Sequence, residues 1–413
     1  MSRRYPIVEF PFPDSKVPQL SRRLGSILSL DDFELAARRH LPRPVFAYVS
    51  GGVEDNAALR DNRAAFDELG FVPRVLIDVS KRTTATTLFG REYSAPFGVA
   101  PMGISALSAY RGDLVQAQGA KRSNIPMIMS GSSLIRLEDV CTACPETWFQ
   151  AYLPGDEAKI LGLVDRAATA GFKTLVVTVD VAVLSNRENN IRAGFSTPLR
   201  PSLRLAWDGV THPRWLFGNV LRTLWNHGMP HFENSFATRG APILARDVER
   251  DFSKKDHLDW THLALIRKRW QGRLVVKGIM SPEDARIARE NGVDGVIVSN
   301  HGGRQLDHTV SPLRVLPSIV AAAGGIPVMM DSGIRRGTDV MKALALGASF
   351  VFVGRPFNYA ASIAGVEGVQ HAYSILQGEL YRGMAQLGIK SVGELGPAKL
   401  MRIAGVRAPG MPV

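Results

Sequence analysis

From about residue 95 the chain alternates short apolar segments with helix-like stretches, and few folds accept that alternation. The apolar segments are FGVAP (97–101), IPMIMS (125–130), TWFQAYL (147–153) and TLVVTVD (174–180). LVVKGI (274–279), GVIVSN (295–300), PVMMDSG (327–333) and FVFVGRP (350–356) continue the series. Each is continuously apolar rather than alternating, as strands buried on both faces are, and this implies a parallel sheet covered by helices. The intervening stretches carry helix signals. Ser281-Pro282-Glu283-Asp284 supplies an N-cap, a proline at the first helical position and acids in the first turn. Gly171, Gly292 and Gly347 stand where helices should stop. Eight such units imply closure into a barrel. The expected fold class is α/β, a (β/α)8 TIM barrel with an N-terminal helical extension and a long insertion after strand 4.

The reading is of one domain over 1–413: an extension (1–95), the barrel (96–390) and a C-terminal tail (391–413). The extension has helical character around 31–40 and 55–67. Residues 188–257 interrupt the fourth unit with little clear periodicity and hold Trp207, Trp215 and Trp225. A long loop at the catalytic end suits a lid, a subunit contact or a membrane-facing segment. Between 191 and 239 six arginines stand against two acids, so a peripheral membrane contact falls there.

Composition narrows the function classes. Hydrophobic residues make up 45% and charged residues 21%, an ordinary balance for a globular enzyme. No apolar run approaches the roughly 18–20 residues that cross a bilayer. The N-terminus has arginine pairs but no apolar core of a leader peptide, so the expected location is cytoplasmic, or peripheral on the inner face of the membrane. The net charge of +12 is scattered rather than run together, which argues against a nucleic-acid partner. The two cysteines, Cys141 and Cys144, form a lone CxxC with no second pair, so they read as small residues near a helix end; no metal site is expected.

In a parallel barrel, reactive side chains belong at the C-terminal strand ends. Polar residues recur there: Ser130; Gln150 and Tyr152; Thr178 and Asp180, with Arg187 soon after; Lys277; Ser299 and His301 through Arg304; Asp331, Ser332 and Gly333, then Arg335; Gly354 and Arg355. Glycine-rich turns after strands 7 and 8, each with an arginine, suit a phosphorylated ligand. His301 between a strand end and two glycines suits a general base, with Asp180 placed to hold its other nitrogen. Arg187 and Arg304 beside that base suit a carboxylate substrate. Lys277 on a buried strand needs a partner or an anionic ligand.

LVVKGI, VSNHGGRQLD, DSGIRRGTDVMKALALGA and VFVGRP, in that order, resemble the FMN-dependent α-hydroxy-acid dehydrogenase/oxidase family, whose members include glycolate oxidase, L-lactate dehydrogenase and mandelate dehydrogenase. The resemblance runs from about residue 30 to 390. It implies FMN as cofactor and oxidation of a small L-2-hydroxy acid to its 2-oxo acid. It gives His301 the role of base, Asp180 that of its partner, and Arg187 and Arg304 that of carboxylate ligands. Tyr48 and Tyr152 match substrate-contacting tyrosines, Tyr152 with a catalytic share. Lys277 matches the lysine beside flavin N1. Ser130, Gln150, Thr178 and Ser299 match flavin or ribityl contacts; Asp331, Ser332, Gly333, Arg335, Gly354 and Arg355 fall in the ribityl- and phosphate-binding segment. The backbone of Ala100, Pro101, Met102 and Gly103 should pass close to flavin N5.

Three departures from the commoner family pattern stand out: Met102 where many members have Thr or Val; glycine at Gly103, as in mandelate dehydrogenase, where oxidase-like members tend to have alanine; and no tryptophan near Ser132, whose absence leaves a roomier pocket. The stretch DGVTHPRW…HGMP resembles membrane-associated dehydrogenases, so a quinone or another carrier is the favoured electron acceptor. Alternatives are an oxidase that reduces oxygen to peroxide, an oxidative peptide-maturation enzyme with the same site, and a flavin-binding scaffold without turnover. The resemblance also implies a homo-oligomer, a tetramer.

Overall fold

Eight parallel strands form one sheet: β1 (Phe97–Val99), β2 (Ile128–Ser130), β3 (Trp148–Tyr152), β4 (Thr174–Thr178), β5 (Arg273–Ile279), β6 (Gly295–Val298), β7 (Val328–Met330) and β8 (Phe350–Val353). The structure is a computed structural model, and it describes residues 21, 23–196, 199–200, 202–245 and 255–403. The N-terminal stretch through residue 20, the end of the tail from 404, and residues 246–254 of the insertion lie outside the described residues. The strands are hydrogen-bonded in the order β1-β8-β7-β6-β5-β4-β3-β2. The two ends meet at one parallel bridge, Val99 to Met127, where the Val99 N–H donates to the Pro126 carbonyl at 2.9 Å. The barrel therefore closes, with its thinnest joint between the first two strands.

Side chains leave each strand on alternate faces, and both faces are buried. On β4, Leu175 and Val177 pack under the helices, while Val176 packs inside the barrel with Trp148, Val275, Ile297, Met329 and Phe352. Two dry faces explain the unbroken apolar runs. A short hairpin, Thr86–Leu88 with Arg91–Tyr93, sends Leu88 and Tyr93 into that inner cluster.

The extension is helical at Leu30–His40, Arg43–Ser50 and Ala57–Asp67. Ser29 and Asp32 form a reciprocal capping box at the first of these. The start of the tail, Leu400–Arg402, pairs antiparallel with Leu69–Phe71. Ser281 caps its helix by accepting from the Glu283 N–H, and Gly171, Gly292 and Gly347 all take left-handed φ at helix ends. Cys141 and Cys144 are buried, unbridged, at the end of the helix Leu137–Ala143.

The insertion departs from the expected loop. Its described part is helical at Glu188–Ala193, Leu203–Val210, Pro213–Trp215 and Arg222–His227, with a π-helical turn at Leu216–Leu221. Its periodicity is hard to read because prolines break it into short pieces and much of its apolar side faces solvent: Leu203, Trp207, Val210, Phe217 and Trp225 are exposed. Among the residues that turn inward, Trp215 and Asn219 reach the loop after β1. Trp215 Nε1 donates to the Leu107 carbonyl at 2.7 Å, and Asn219 Nδ2 donates to the carbonyls of Ala106 at 3.1 Å and Leu107 at 2.9 Å.

Candidate active site

The C-terminal strand ends open into a cavity of about 740 Å³, a volume in the range of small-molecule and cofactor pockets. Its walls include Tyr48, Tyr152, Thr178, Arg187, Lys277, His301, Arg304, Asp331, Arg335 and the backbone run Ala100-Pro101-Met102-Gly103. Ser332, Gly333, Gly354 and Arg355 line it as well. Ser130, Gln150, Asp180 and Ser299 stand directly behind. The Ser130 hydroxyl donates to Gln150 Oε1 at 3.2 Å, and Ser299 Oγ accepts from Lys277 Nζ at 2.8 Å and from the His301 N–H at 3.0 Å.

The turn after β6 carries His301. Three successive residues, His301, Gly302 and Gly303, have φ of 57°, 67° and 71°. Left-handed backbone at a non-glycine residue is uncommon, and here it swings the imidazole over the barrel mouth. Nδ1 lies 3.0 Å from Asp180 Oδ1, and Nε2 lies 3.4 Å from the Tyr152 hydroxyl. Burial draws the His301 pKa below its ordinary value, although Asp180 opposes this. Burial pushes the Asp180 carboxyl up, but His301 and Lys277 more than offset it and hold it below the usual carboxylate value. Burial also raises the Tyr152 phenol, which therefore stays protonated. At neutral pH the result is a neutral imidazole backed by a carboxylate.

Two arginines flank this pair. Arg304 Nη1 donates to the carbonyls of Tyr48 and Gly51, both at 2.7 Å, and its guanidinium lies over the Tyr48 ring, 5.1 Å from the centroid. Burial, then Arg187 beside it, pulls the Arg304 pKa down. Arg187 is held by Ser185 Oγ at 2.9 Å and Gln305 Oε1 at 2.6 Å. Neither arginine forms an ion pair with a carboxylate among the described residues; Arg63 and Arg336, nearby but outside this pair, do. Two buried or half-buried guanidiniums left unneutralised call for an anion.

Further round the rim, Lys277 Nζ sits 3.2 Å from Asp331 Oδ2, and both side chains are buried. Ser332 and Gly333 take φ of 79° and 86°. A Cβ on Gly333 would fall 2.1 Å from the Asn62 carbonyl oxygen, so the turn accepts only glycine. Arg335 lines the cavity, and its backbone N–H donates to Asp339 at 2.8 Å. Gly354 precedes the helical stretch Arg355–Leu387, which breaks at Ala364 and Gly365, and its first turn points at the cavity. The Arg355 guanidinium also ties the extension to the turn after β6, donating to Val49, Gly51 and Gly302 carbonyls at 2.9, 3.0 and 3.0 Å.

The residues present fit FMN. Gln150 Nε2 and Thr178 Oγ1 are buried polar atoms that lack a hydrogen-bond partner. Such orphans are costly unless a ligand meets them. Lys277 suits a developing negative charge, and the glycine turns with the helix start suit a phosphate.

Sequence reasoning missed two parts of the wall. The insertion lends Ile191, Phe195, Phe232 and Phe236, remote from any strand end. Gln305 also lines the cavity, although it lies inside the motif that drew attention to its neighbours. The last residue of that motif, Asp307, is structural. It accepts from the Ala58 N–H at 2.8 Å and the Asp55 N–H at 3.0 Å, capping the helix Ala57–Asp67.

Comparison with known proteins adds the following. The sequence pattern of a family described as FMN-dependent dehydrogenase matches residues 37–402. The chain is 36% identical to (S)-mandelate dehydrogenase of Pseudomonas putida over 379 residues, 90% of this chain and 93% of that protein. It is 38% identical to an L-lactate dehydrogenase of Ectopseudomonas mendocina over 371 residues, 88% of this chain and 96% of that protein. The crystal structure of the monotopic membrane protein (S)-mandelate dehydrogenase superimposes with a TM-score of 0.84 at 35% identity, covering 92% of this chain and all (100%) of that one.

Proposed function

The chain belongs to the FMN-dependent dehydrogenase family and oxidises the CH–OH group of a 2-hydroxy acid with FMN, and from that footing we propose which residues carry the reaction and what the insertion does. Arg187 and Arg304 receive the substrate carboxylate and set its α-carbon beside His301. His301 Nε2 takes up a proton leaving the substrate. Asp180 keeps the other ring proton on Nδ1 and stabilises the imidazolium that results. Tyr48 and Tyr152 contact the substrate from either side. Two electrons and two protons leave in all, giving the 2-oxo acid; FMN supplies the two-electron acceptor. Lys277, Ser130, Gln150, Thr178 and Ser299 would hold the flavin and ribityl groups, and the 331–335 and 354–355 turns the phosphate.

The observation that carries this reading is the His301–Asp180 pair at 3.0 Å beside two arginines without a carboxylate partner. The test is anaerobic addition of glycolate, L-lactate, longer L-2-hydroxy acids and mandelate to the purified holoenzyme. Flavin bleaching with one acid, lost in His301→Ala that still holds FMN, is the expected result. Slow recolouring in air identifies a dehydrogenase that hands electrons to a quinone or other carrier; fast recolouring identifies an oxidase.

We also infer a peripheral membrane contact through 191–239. No helix among the described residues is long and apolar enough to cross a membrane. The insertion instead exposes Trp207 by 68% and Trp225 by 90%, with Arg214 and Arg222 exposed in the same segment, the make-up of a surface that rests on an anionic bilayer. A homo-oligomer, expected from the resemblance, is part of the same reading, and light scattering decides it.

A further inference from the structure

Arg187 sits on the loop after β4; Ser185 Oγ and the Arg304 carbonyl hold its Nε, and its Nη2 end is held by a side chain from a different loop. Gln305 Oε1 accepts from Arg187 Nη2 at 2.6 Å and from the Ser185 hydroxyl at 3.3 Å. Gln305 Nε2 donates to the Asp180 backbone carbonyl at 3.1 Å. These partners fix the amide's orientation, because a flipped amide would set NH₂ against a guanidinium and oxygen against oxygen. An amide is also the group that suits both ends. A carboxylate of the same length would cancel the Arg187 charge and could not donate to the carbonyl. An apolar side chain would leave the Nη2 end without that partner, with only Ser185 Oγ and the Arg304 carbonyl holding Nε.

We propose that Gln305 is the positioning residue of the carboxylate clamp: it fixes Arg187 without neutralising it and ties it to the backbone of Asp180, so the clamp and the His301–Asp180 pair stay in register. This rests on the reading of Arg187 as a carboxylate ligand. A neutral dipole holds the arginine, and its full charge stays available to the substrate.

The test compares holoenzymes of wild type, Gln305→Met, Gln305→Glu and Arg187→Met. Dissociation constants for phenylglyoxylate and for its neutral amide are read from the flavin absorbance. The expected result is that Gln305→Met weakens phenylglyoxylate by at least about tenfold and Gln305→Glu by more, while the amide changes little in either. The carboxylate-to-amide ratio is the informative readout, since general loosening of the site would weaken both ligands together. Wild-type ratios in both Gln305 variants, with a lowered ratio in Arg187→Met, overturn the assignment of Gln305. An unchanged ratio in Arg187→Met overturns the clamp reading itself and the assignment with it.

Discussion

His301 Nδ1 lies 3.0 Å from Asp180 Oδ1, and that contact decides which nitrogen is free. An ionised carboxylate only accepts, so it keeps the ring proton on Nδ1 and leaves the Nε2 lone pair facing the cavity. The neutral ring is the working form, and burial holds its pKa below the ordinary 6.5. kcat/KM should therefore fall as pH drops through that lowered value. Asp180→Asn removes the largest influence that raises it, so the acid limb should move to still lower pH. His301→Gln should cost about 10²–10⁴-fold in kcat with FMN retained. A pH–rate profile of the three proteins checks both statements; an acid limb that moves up in Asp180→Asn contradicts them.

Lys277 and Asp331 form a buried pair at 3.2 Å. Removing one partner strands the other charge, at a cost of about 3–5 kcal/mol. Lys277→Met should thus be markedly less stable in denaturant titration. Lys277→Met with Asp331→Asn should recover part of the loss, because no bare charge remains. A double variant no more stable than the single would show that the pair is not what Lys277 contributes.

Gly103 lines the cavity at a point with little room for a side chain. A Cβ there would approach the Tyr48 hydroxyl to 3.0 Å and Ser132 Cβ to 3.1 Å. Gly103→Ala should raise KM for mandelate by about tenfold or more while changing that for L-lactate less. Equal changes for both acids, in steady-state assays, would mean that this wall does not read side-chain size.

Trp207 and Trp225 are exposed and pack on no core, so replacing them should not disturb folding. Trp207→Ser with Trp225→Ser should lower co-sedimentation with anionic phosphatidylglycerol vesicles several-fold and leave activity on a soluble dye acceptor unchanged. Undiminished sedimentation would overturn the proposed membrane contact through these tryptophans.

Asp113 lies buried against the Ser105 hydroxyl at 2.7 Å, and burial, partly offset by Ser105 and Ser133, pushes its carboxyl up to about 6. A carboxyl raised above its unfolded value of 3.8 favours folding when protonated, and that advantage is lost as pH rises from about 4 through about 6. Two pKa units correspond to about 3 kcal/mol. Wild type should lose stability across this window, and Asp113→Asn should lose about 3 kcal/mol less. Parallel stability–pH curves for the two proteins would count against the buried carboxyl as the cause.

The barrel was legible because its strands are dry on both faces: β4 and β8 read as the apolar runs TLVVTVD and FVFVGRP, and the structure gives Thr174–Thr178 and Phe350–Val353. The rim was legible because charged residues after such runs have few other reasons to be there. Gln305 was not legible, since an uncharged amide carries no chemical alarm and its value lies in three partners more than a hundred residues away. Phe232 and Phe236 reach the cavity from a segment whose helices are too short and too often interrupted to show a period. The direction in which Leu203–Val210 faces could not be read either, since an apolar stripe looks the same whether it meets a core or the outside.

The barrel's eighth joint hangs on the single bridge from Val99 to Met127, and a few residues beyond it the insertion grips the carbonyls of Ala106 and Leu107 through Trp215 and Asn219. The added segment is thus a clasp as well as an outward surface. Its outer face can be rewritten with little effect on folding, whereas Trp215 and Asn219 are committed to the loop after β1 that they hold. A chain without the segment would have to hold the Ala106 and Leu107 carbonyls by other means.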